Sequence, residues 1–282
     1  MMKLFKITAI AGTVLAASLL FCTAHAAVRD SDIPVDIEVN GSYINSTASA
    51  YIKNGYTFAP VRILSNALGA KVQWDGNAGK VSITSDTGNI EFYNNSNIAY
   101  VNGEKKQMTG GMNIINGTSF VPVRFLAENL GADVNWDNIY FTVRINKDNH
   151  TLDDSLKKNS YYEDNLFWLA RIVEAESAGE PLAGKVAVGN VVLNRVKSSE
   201  YPNSIYGVIF DRTFGVQFQP VLNGHIYNTP SAESIVAAKR AMLGEDIVGD
   251  CLYFLNPDIS TNTWIIKNRV YYKTIENHDF YL

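Results

Sequence analysis

Phe58-Ala59-Pro60-Val61-Arg62 and Phe120-Val121-Pro122-Val123-Arg124 read as one block written twice, 62 residues apart. The match extends in both directions without a gap. Upstream, Val39-Asn40-Gly41 returns as Val101-Asn102-Gly103, and Asn54-Gly55 as Asn116-Gly117. Downstream, Leu68-Gly69-Ala70 and Trp74-Asp75 return as Leu130-Gly131-Ala132 and Trp136-Asp137. Turn, core and strand letters held at one offset mark an internal duplication.

Each copy has the same local physics. Ile37-Glu38-Val39 alternates as a strand does, and Asn40-Gly41 is a tight hairpin signal. The block from Thr57 to Arg62 leads into a short helix over Ile63 to Leu68, where Gly69 supplies the stop. Lys71 to Trp74 alternates again, Asp75-Gly76 turns, and Lys80 to Ile83 closes the unit. The first half is therefore expected to be a β-rich module of two 62-residue repeats sharing one core. Arg62 and Arg124 are read either as a binding pair or as side chains tying down their own loops.

Beyond the repeat, the 282 residues are 46% hydrophobic and 18% charged, with a formal net charge of −4. That length fits about two domains. The composition excludes a disordered or fibrous chain, and the absence of a basic block excludes a nucleic-acid binder. At the N-terminus, Lys3 and Lys6 precede the apolar run Ile7 to Phe21 and then Ala24-His25-Ala26. That order predicts a signal peptide over residues 1–26, cleaved after Ala26, with a retained anchor as the alternative. No later apolar run reaches the ~18 residues of a membrane span, so a secreted protein is expected, with no membrane contact after cleavage. Cleavage removes two lysines and Cys22, taking the charge to −6 and leaving Cys251 as the one cysteine. An internal disulfide is thereby excluded. In an anionic cell envelope such a chain must bind through hydrogen bonds and aromatic faces.

Residues 148–162, polar and poor in apolar side chains, are expected to be a linker between domains 33–147 and 163–282. From Glu163 a helical period begins. Leu166, Leu169, Ile172 and Val173 form one apolar stripe, and its continuation falls on Glu176. Burial and the negative end of a helix both disfavour a charged carboxylate, so Glu176 is expected to hold its proton near neutral pH, as a general acid must. Glu174 is expected to point to solvent. A structural carboxylate is the alternative reading of Glu176.

The first half resembles the copper amine oxidase N-terminal-like stalk repeats over residues 33–147. No His or Cys lies between Ala27 and Lys147, so imidazole or thiolate ligation of copper is unavailable there. The module is read as a spacer or as a surface for wall or coat-protein contact. In the second half, the run Glu176-Ser177-Ala178-Gly179-Glu180-Pro181 leads into Gly189-Asn190-Val191-Val192-Leu193-Asn194-Arg195-Val196. With Gly207-Val208-Ile209-Phe210, Asn256-Pro257 and His278-Asp279-Phe280-Tyr281, these blocks resemble the spore cortex-lytic cell-wall hydrolase family over residues 163–282. The resemblance implies a lysozyme-like α+β catalytic domain, the catalytic glutamate at Glu176, and peptidoglycan glycan strands as substrate. It also implies action on spore cortex in germination, at the cell wall or spore envelope. Ala178 stands where that family commonly has arginine.

Hydrolytic glycosidases use two carboxylates, and no second acid has a comparable signature. Asp211, Asp250 and Asp258 sit beside turn residues. A lytic transglycosylase needs one, because the muramic C6 hydroxyl replaces water. A muramidase using water and a non-enzymatic wall-binding or coat protein remain the alternatives. Candidate sugar contacts are Glu180, Gln217, Phe218, Tyr253, Asn256, Trp264 and His278. Neither a zinc motif nor a cofactor motif is present, so no metal and no cofactor is expected.

Overall fold

The computed structural model describes residues 33–282 apart from 214 and 262. The expected signal peptide lies outside the described residues. Two hairpins come first, β1 (Asp36–Val39) with β2 (Ser42–Tyr43) and β3 (Tyr51–Lys53) with β4 (Tyr56–Pro60). Helix α1 (Val61–Ala67) follows, then β5 (Lys71–Asp75) and β6 (Lys80–Ser85). After β7 (Gly88–Tyr93) the order returns as β8 (Ile98–Val101), β9 (Glu104–Gln107), β10 (Asn113–Ile115) and β11 (Thr118–Pro122). It ends with α2 (Val123–Asn129), β12 (Asp133–Asp137) and β13 (Thr142–Asn146). Every one of these elements except β7 starts 62 residues after its counterpart.

The two copies are interleaved. One sheet runs β12-β13-β1-β2, joining the closing hairpin of the second copy to the opening hairpin of the first through a parallel β1–β13 pairing. The reciprocal sheet runs β5-β6-β7-β8-β9, with β7 inserted at the junction, and the middle sheet β10-β11-β4-β3 takes one hairpin from each copy. Leu64, Phe92, Val121 and Leu126 sit together in the core beneath both helices. Neither copy can complete its sheets alone, so folding of this half is expected to be cooperative across the duplication. The copies differ at one turn. Gly79 takes φ +60 in the first, whereas its counterpart Phe141 takes φ +48 in the second. A left-handed aromatic residue is disfavoured, and Phe141 is held there because its ring packs against the cores of both halves of the molecule.

Residues 147–161, which overlap the linker expected over 148–162, form a strap bonded to the first domain. The Asn40 amide donates to the carbonyls of Lys147 (2.9 Å) and His150 (2.7 Å), and Lys147 Nζ donates to Leu68 O (2.7 Å). Leu152 is buried and Ile44 bridges to Lys157. The polar residues that marked a linker in the sequence are using those side chains and backbone groups as fasteners.

The second half opens with α3 (Tyr162–Ser177), α4 (Leu182–Lys197), α5 (Ile205–Phe210), α6 (Pro220–Asn223) and α7 (Ala232–Met242). Strand β14 (Tyr253–Leu255), α8 (Thr263–Asn268), β15 (Tyr271–Ile275) and β16 (His278–Tyr281) complete it, with an antiparallel sheet in the order β14-β16-β15. The stripe Leu166, Leu169, Ile172 and Val173 of α3 packs with Val188 and Val192 of α4 and Ile235 and Ala238 of α7. Helix α4 is buried on nearly all sides. Its Gly189 lets α7 come close, since a Cβ there would meet the Ala241 Cβ at 3.2 Å.

Helix α7 also joins the two halves. Val236 belongs to the core of the first half. Lys239, fully buried, pairs with Asp36 of β1 at 2.7 Å and donates to the Phe141 carbonyl at 3.1 Å. Asp36 also accepts from Lys158 (2.6 Å) and from the Tyr162 hydroxyl (3.0 Å).

Candidate active site

Glu176 sits in the last turn of α3, where the buried stripe of that helix runs out. Pro181, at the N-cap of α4, ends one helix run and begins the next. No described residue hydrogen-bonds the Glu176 carboxyl. Burial pushes its pKa up to about 7, against the pull of the Arg195 guanidinium. A carboxyl in this setting is protonated over much of the neutral range and can donate a proton.

Arg195, near the end of α4, acts on it electrostatically. Its Nε donates to Leu252 O at 2.8 Å, and its guanidinium centre lies 5.0, 5.1 and 5.8 Å from the Tyr201, Phe218 and Tyr253 rings. Across Tyr253 stands a second arginine. Arg269 donates to the Tyr253 hydroxyl at 2.8 Å and lies 4.6 and 4.7 Å from the Tyr253 and Trp264 rings. Burial, with a hydrogen bond donated to Tyr253, pushes the Tyr201 phenol up to about 12, so that ring stays neutral and amphipathic. Aromatic faces edged with N–H and O–H donors are what a neutral sugar strand can use.

The structure thus brings Phe218, Tyr253 and Trp264 into one wall around two arginines, with Glu176 within electrostatic reach of Arg195. Gln217 adjoins Phe218 but its amide turns back to Gly215 O (3.4 Å). The Asn256 side chain accepts from Asp258 N (3.0 Å) and shapes a turn. Glu180 and His278 lie at the C-terminal hairpin. The Glu180 carboxylate accepts from the Asn277 amide side chain (2.9 Å) and backbone (3.3 Å), and His278 stands 3.5 Å away. Burial lowers the His278 pKa, with Glu180 opposing, so the ring is neutral at pH 7. Asp211 accepts from Thr213 N (2.9 Å) and its hydroxyl (2.7 Å), a loop role.

Glu174 departs from the expectation of a solvated side chain. It accepts from the backbone and hydroxyl of Ser231 (3.1 and 2.6 Å) and from the Ser234 hydroxyl (2.7 Å) at the start of α7. Despite burial, these donors hold its pKa below the usual glutamate value. Ser231 is 57 residues away in sequence, which helical periodicity cannot see. Arg124 donates to Val134 O (2.8 Å) and so ties α2 to β12; Arg62 is exposed. Among the described residues no cluster of three His, Cys, Asp or Glu could hold a metal ion, and no helix is long and apolar enough to cross a membrane.

Sequence reasoning passed over Arg195, Arg269 and Tyr201. One signal was present: Arg195 lies on a helix rich in Val, Ala and Gly whose faces are nearly all buried, and a cation on a buried helix requires a reason.

Comparison with known proteins divides the chain the same way. Residues 38–145 match the copper amine oxidase N-terminal domain and residues 179–281 match the Cell Wall Hydrolase domain. The second match begins three residues after Glu176. Among curated relatives, a spore cortex-lytic enzyme of Bacillus cereus is 41% identical over 122 residues, covering 43% of this chain and 46% of that one. A spore cortex-lytic enzyme of Bacillus subtilis is 40% identical over 120 residues, covering 43% and 38%. The chain therefore spans less than half the length of these relatives. A solved structure, the catalytic domain of the germination-specific lytic transglycosylase SleB from Bacillus anthracis, is 40% identical. It covers 44% of this chain and 99% of its own, with a TM-score of 0.41.

Proposed function

Because residues 179–281 belong to the Cell Wall Hydrolase family, we propose that this protein is a lytic transglycosylase of peptidoglycan glycan strands, with Glu176 as both acid and base. One observation carries the reading. Glu176 is a carboxyl with no hydrogen-bond partner among the described residues and keeps its proton near neutrality, while other acids of this half are already engaged. Glu174 is bonded to Ser231 and Ser234, Glu180 to Asn277, Asp211 to Thr213, and Glu233 to Lys185. A second carboxylate to activate water is missing from the described residues of this wall, which suits a one-acid mechanism over the two-acid one.

In that mechanism Glu176 gives its proton to the oxygen linking MurNAc C1 to GlcNAc, and the C1–O bond breaks. The C6 hydroxyl oxygen of the same muramic residue bonds to C1, and its proton passes to the Glu176 carboxylate. The products are a GlcNAc end and a 1,6-anhydro-MurNAc end; no water is consumed and Glu176 is restored. The exposed Trp264 and the half-buried Tyr253 would hold the sugar faces while Arg269 fixes Tyr253; Phe218, expected as a sugar contact, is only 2% exposed and instead backs the wall from the core.

The spore cortex-lytic relatives favour cortex peptidoglycan, hence a wall or spore-envelope location after export, and the duplicated domain would face the wall or a coat protein. The test is turbidity loss of purified cortex and vegetative sacculi with the full chain and Glu176→Gln. Cortex should clear with the parent only; full activity in Glu176→Gln would overturn the assignment.

A further inference from the structure

Helix α4 carries two buried cations, and only one of them is fully paired. Lys185 donates to the carbonyls of Ala178 (2.9 Å) and Glu180 (2.5 Å) and pairs with Glu233 (3.2 Å). Arg195, just 5% exposed, spends Nε on Leu252 O, yet its Nη1 is buried with no acceptor. The rings of Tyr201, Phe218 and Tyr253 offset part of the desolvation but offer that N–H nothing to bond. A buried guanidinium N–H left unpaired is costly and calls for a cause beyond packing.

The charged and titratable groups facing Arg195 narrow the cause. From α3 comes Glu176, and from the loop after α5 comes Asp211, already bonded to Thr213. The phenols of Tyr201 and Tyr253 complete the set, with Arg269 beyond Tyr253. Glu174, on the same helix as Glu176, is taken by Ser231 and Ser234. Glu176 is the carboxyl here without a partner of its own.

We propose that Arg195 is a positioning residue for the acid-to-base turnover of Glu176: its spare Nη1–H is the donor held for the carboxylate that proton transfer leaves behind. This rests on the reading of Glu176 given above. In the resting state Glu176 is neutral and the N–H waits. Once the proton has gone to the leaving oxygen, the carboxylate accepts from Arg195, which holds it in place to receive the C6 hydroxyl proton. Reprotonation releases the pair. The same cation explains why burial does not drive the acid further up, to a value at which it would not give its proton away.

The experiment uses the full chain with Arg195→Met and Arg195→Lys, read by carboxyl-carbon NMR of Glu176 and by the pH profile of kcat on soluble glycan strands. Without the cation, the Glu176 titration and the alkaline limb of kcat should both move up by about one pH unit. kcat should fall about tenfold or more while KM stays near the parent value. Arg195→Lys should keep the limb near its parent position and recover part of kcat. A folded Arg195→Met with an unmoved titration and limb would overturn the proposal. If Arg195→Met does not fold by circular dichroism, Arg195→Lys decides: a lysine variant whose kcat, KM and limb all match the parent also overturns it. The two readings fail separately. Full activity in Glu176→Gln defeats the catalytic assignment, whereas a shifted titration would still establish the Arg195–Glu176 coupling.

Discussion

Asp36 at the domain junction and Glu176 in the second half are both carboxyls withdrawn from water, and their surroundings drive them in opposite directions. Desolvation is the largest influence on each and raises both. At Asp36 two ammonium groups reverse it, with Lys158 at 2.6 Å and Lys239 at 2.7 Å, so the acid stays ionised below its ordinary pKa. At Glu176 a single cation opposes burial without a hydrogen bond, and the acid rises to about 7. Burial alone therefore does not make an acid catalyst. The number of donors committed to the carboxylate decides whether it holds the fold together or keeps a proton to give.

The two acids part most clearly when one loses its charge and the other loses a cation. Glu176→Gln should cut glycan-strand cleavage by about a thousandfold, within the usual range for loss of a general acid, and leave the thermal transition at about pH 4 near that of the parent. At the junction, Lys239→Met leaves Asp36 buried with one of its two cations gone. It should cost about 3–5 kcal/mol in urea unfolding and open the strap around 147–161 to protease. Cleavage of soluble strands by that variant at low temperature should match the parent, since Lys239 touches nothing in the aromatic wall.

Stability against pH sharpens the contrast by sign. Glu176 binds its proton more tightly folded than unfolded, so its contribution is complete below about 4.5 and is lost as pH rises toward about 7. Asp36 behaves oppositely: its contribution is present above the ordinary aspartate value of 3.8 and lost as pH falls through its lower folded pKa. Glu176→Gln should therefore gain on the parent at pH 8 relative to pH 4, by roughly 1–3 kcal/mol in urea titrations. An unchanged difference between the two pH values would contradict the raised pKa. The smallest effect is expected at Phe141→Gly, which gives the second copy the residue of the first. Relief of the left-handed backbone, about 1 kcal/mol, offsets part of the lost ring contact. A net loss of about 1–2 kcal/mol is expected, with faster proteolysis of the strap.

What could be read from the sequence follows the range of the interactions. Asn40-Gly41 and Asn102-Gly103 take positive φ at both residues, as hairpin turns of that composition do, so the duplication and its strands were legible. The stripe leading to Glu176 was legible because a helix repeats its face every few residues. The interleaving of the copies was not, since β1 chooses β13 over a separation of about a hundred residues for which no local letter codes. The strap was hidden for a different reason: Asn, Lys and His look alike whether they face water or bond a neighbouring carbonyl. Glu174 and Arg195 were hidden because their roles depend on Ser231 and on an acceptor that is missing, facts only three dimensions supply.

On the proposed mechanism, one carboxyl cleaves the strand without water. Mass spectrometry of the muramic ends released from cortex peptidoglycan by the full-length protein tests it most directly, with digestion run in oxygen-18 water. The expected ends are 1,6-anhydro-MurNAc, unlabelled and one water lighter than reducing MurNAc. Reducing ends carrying oxygen-18 would contradict it, and would mean that a second group in the fold activates water beside Glu176.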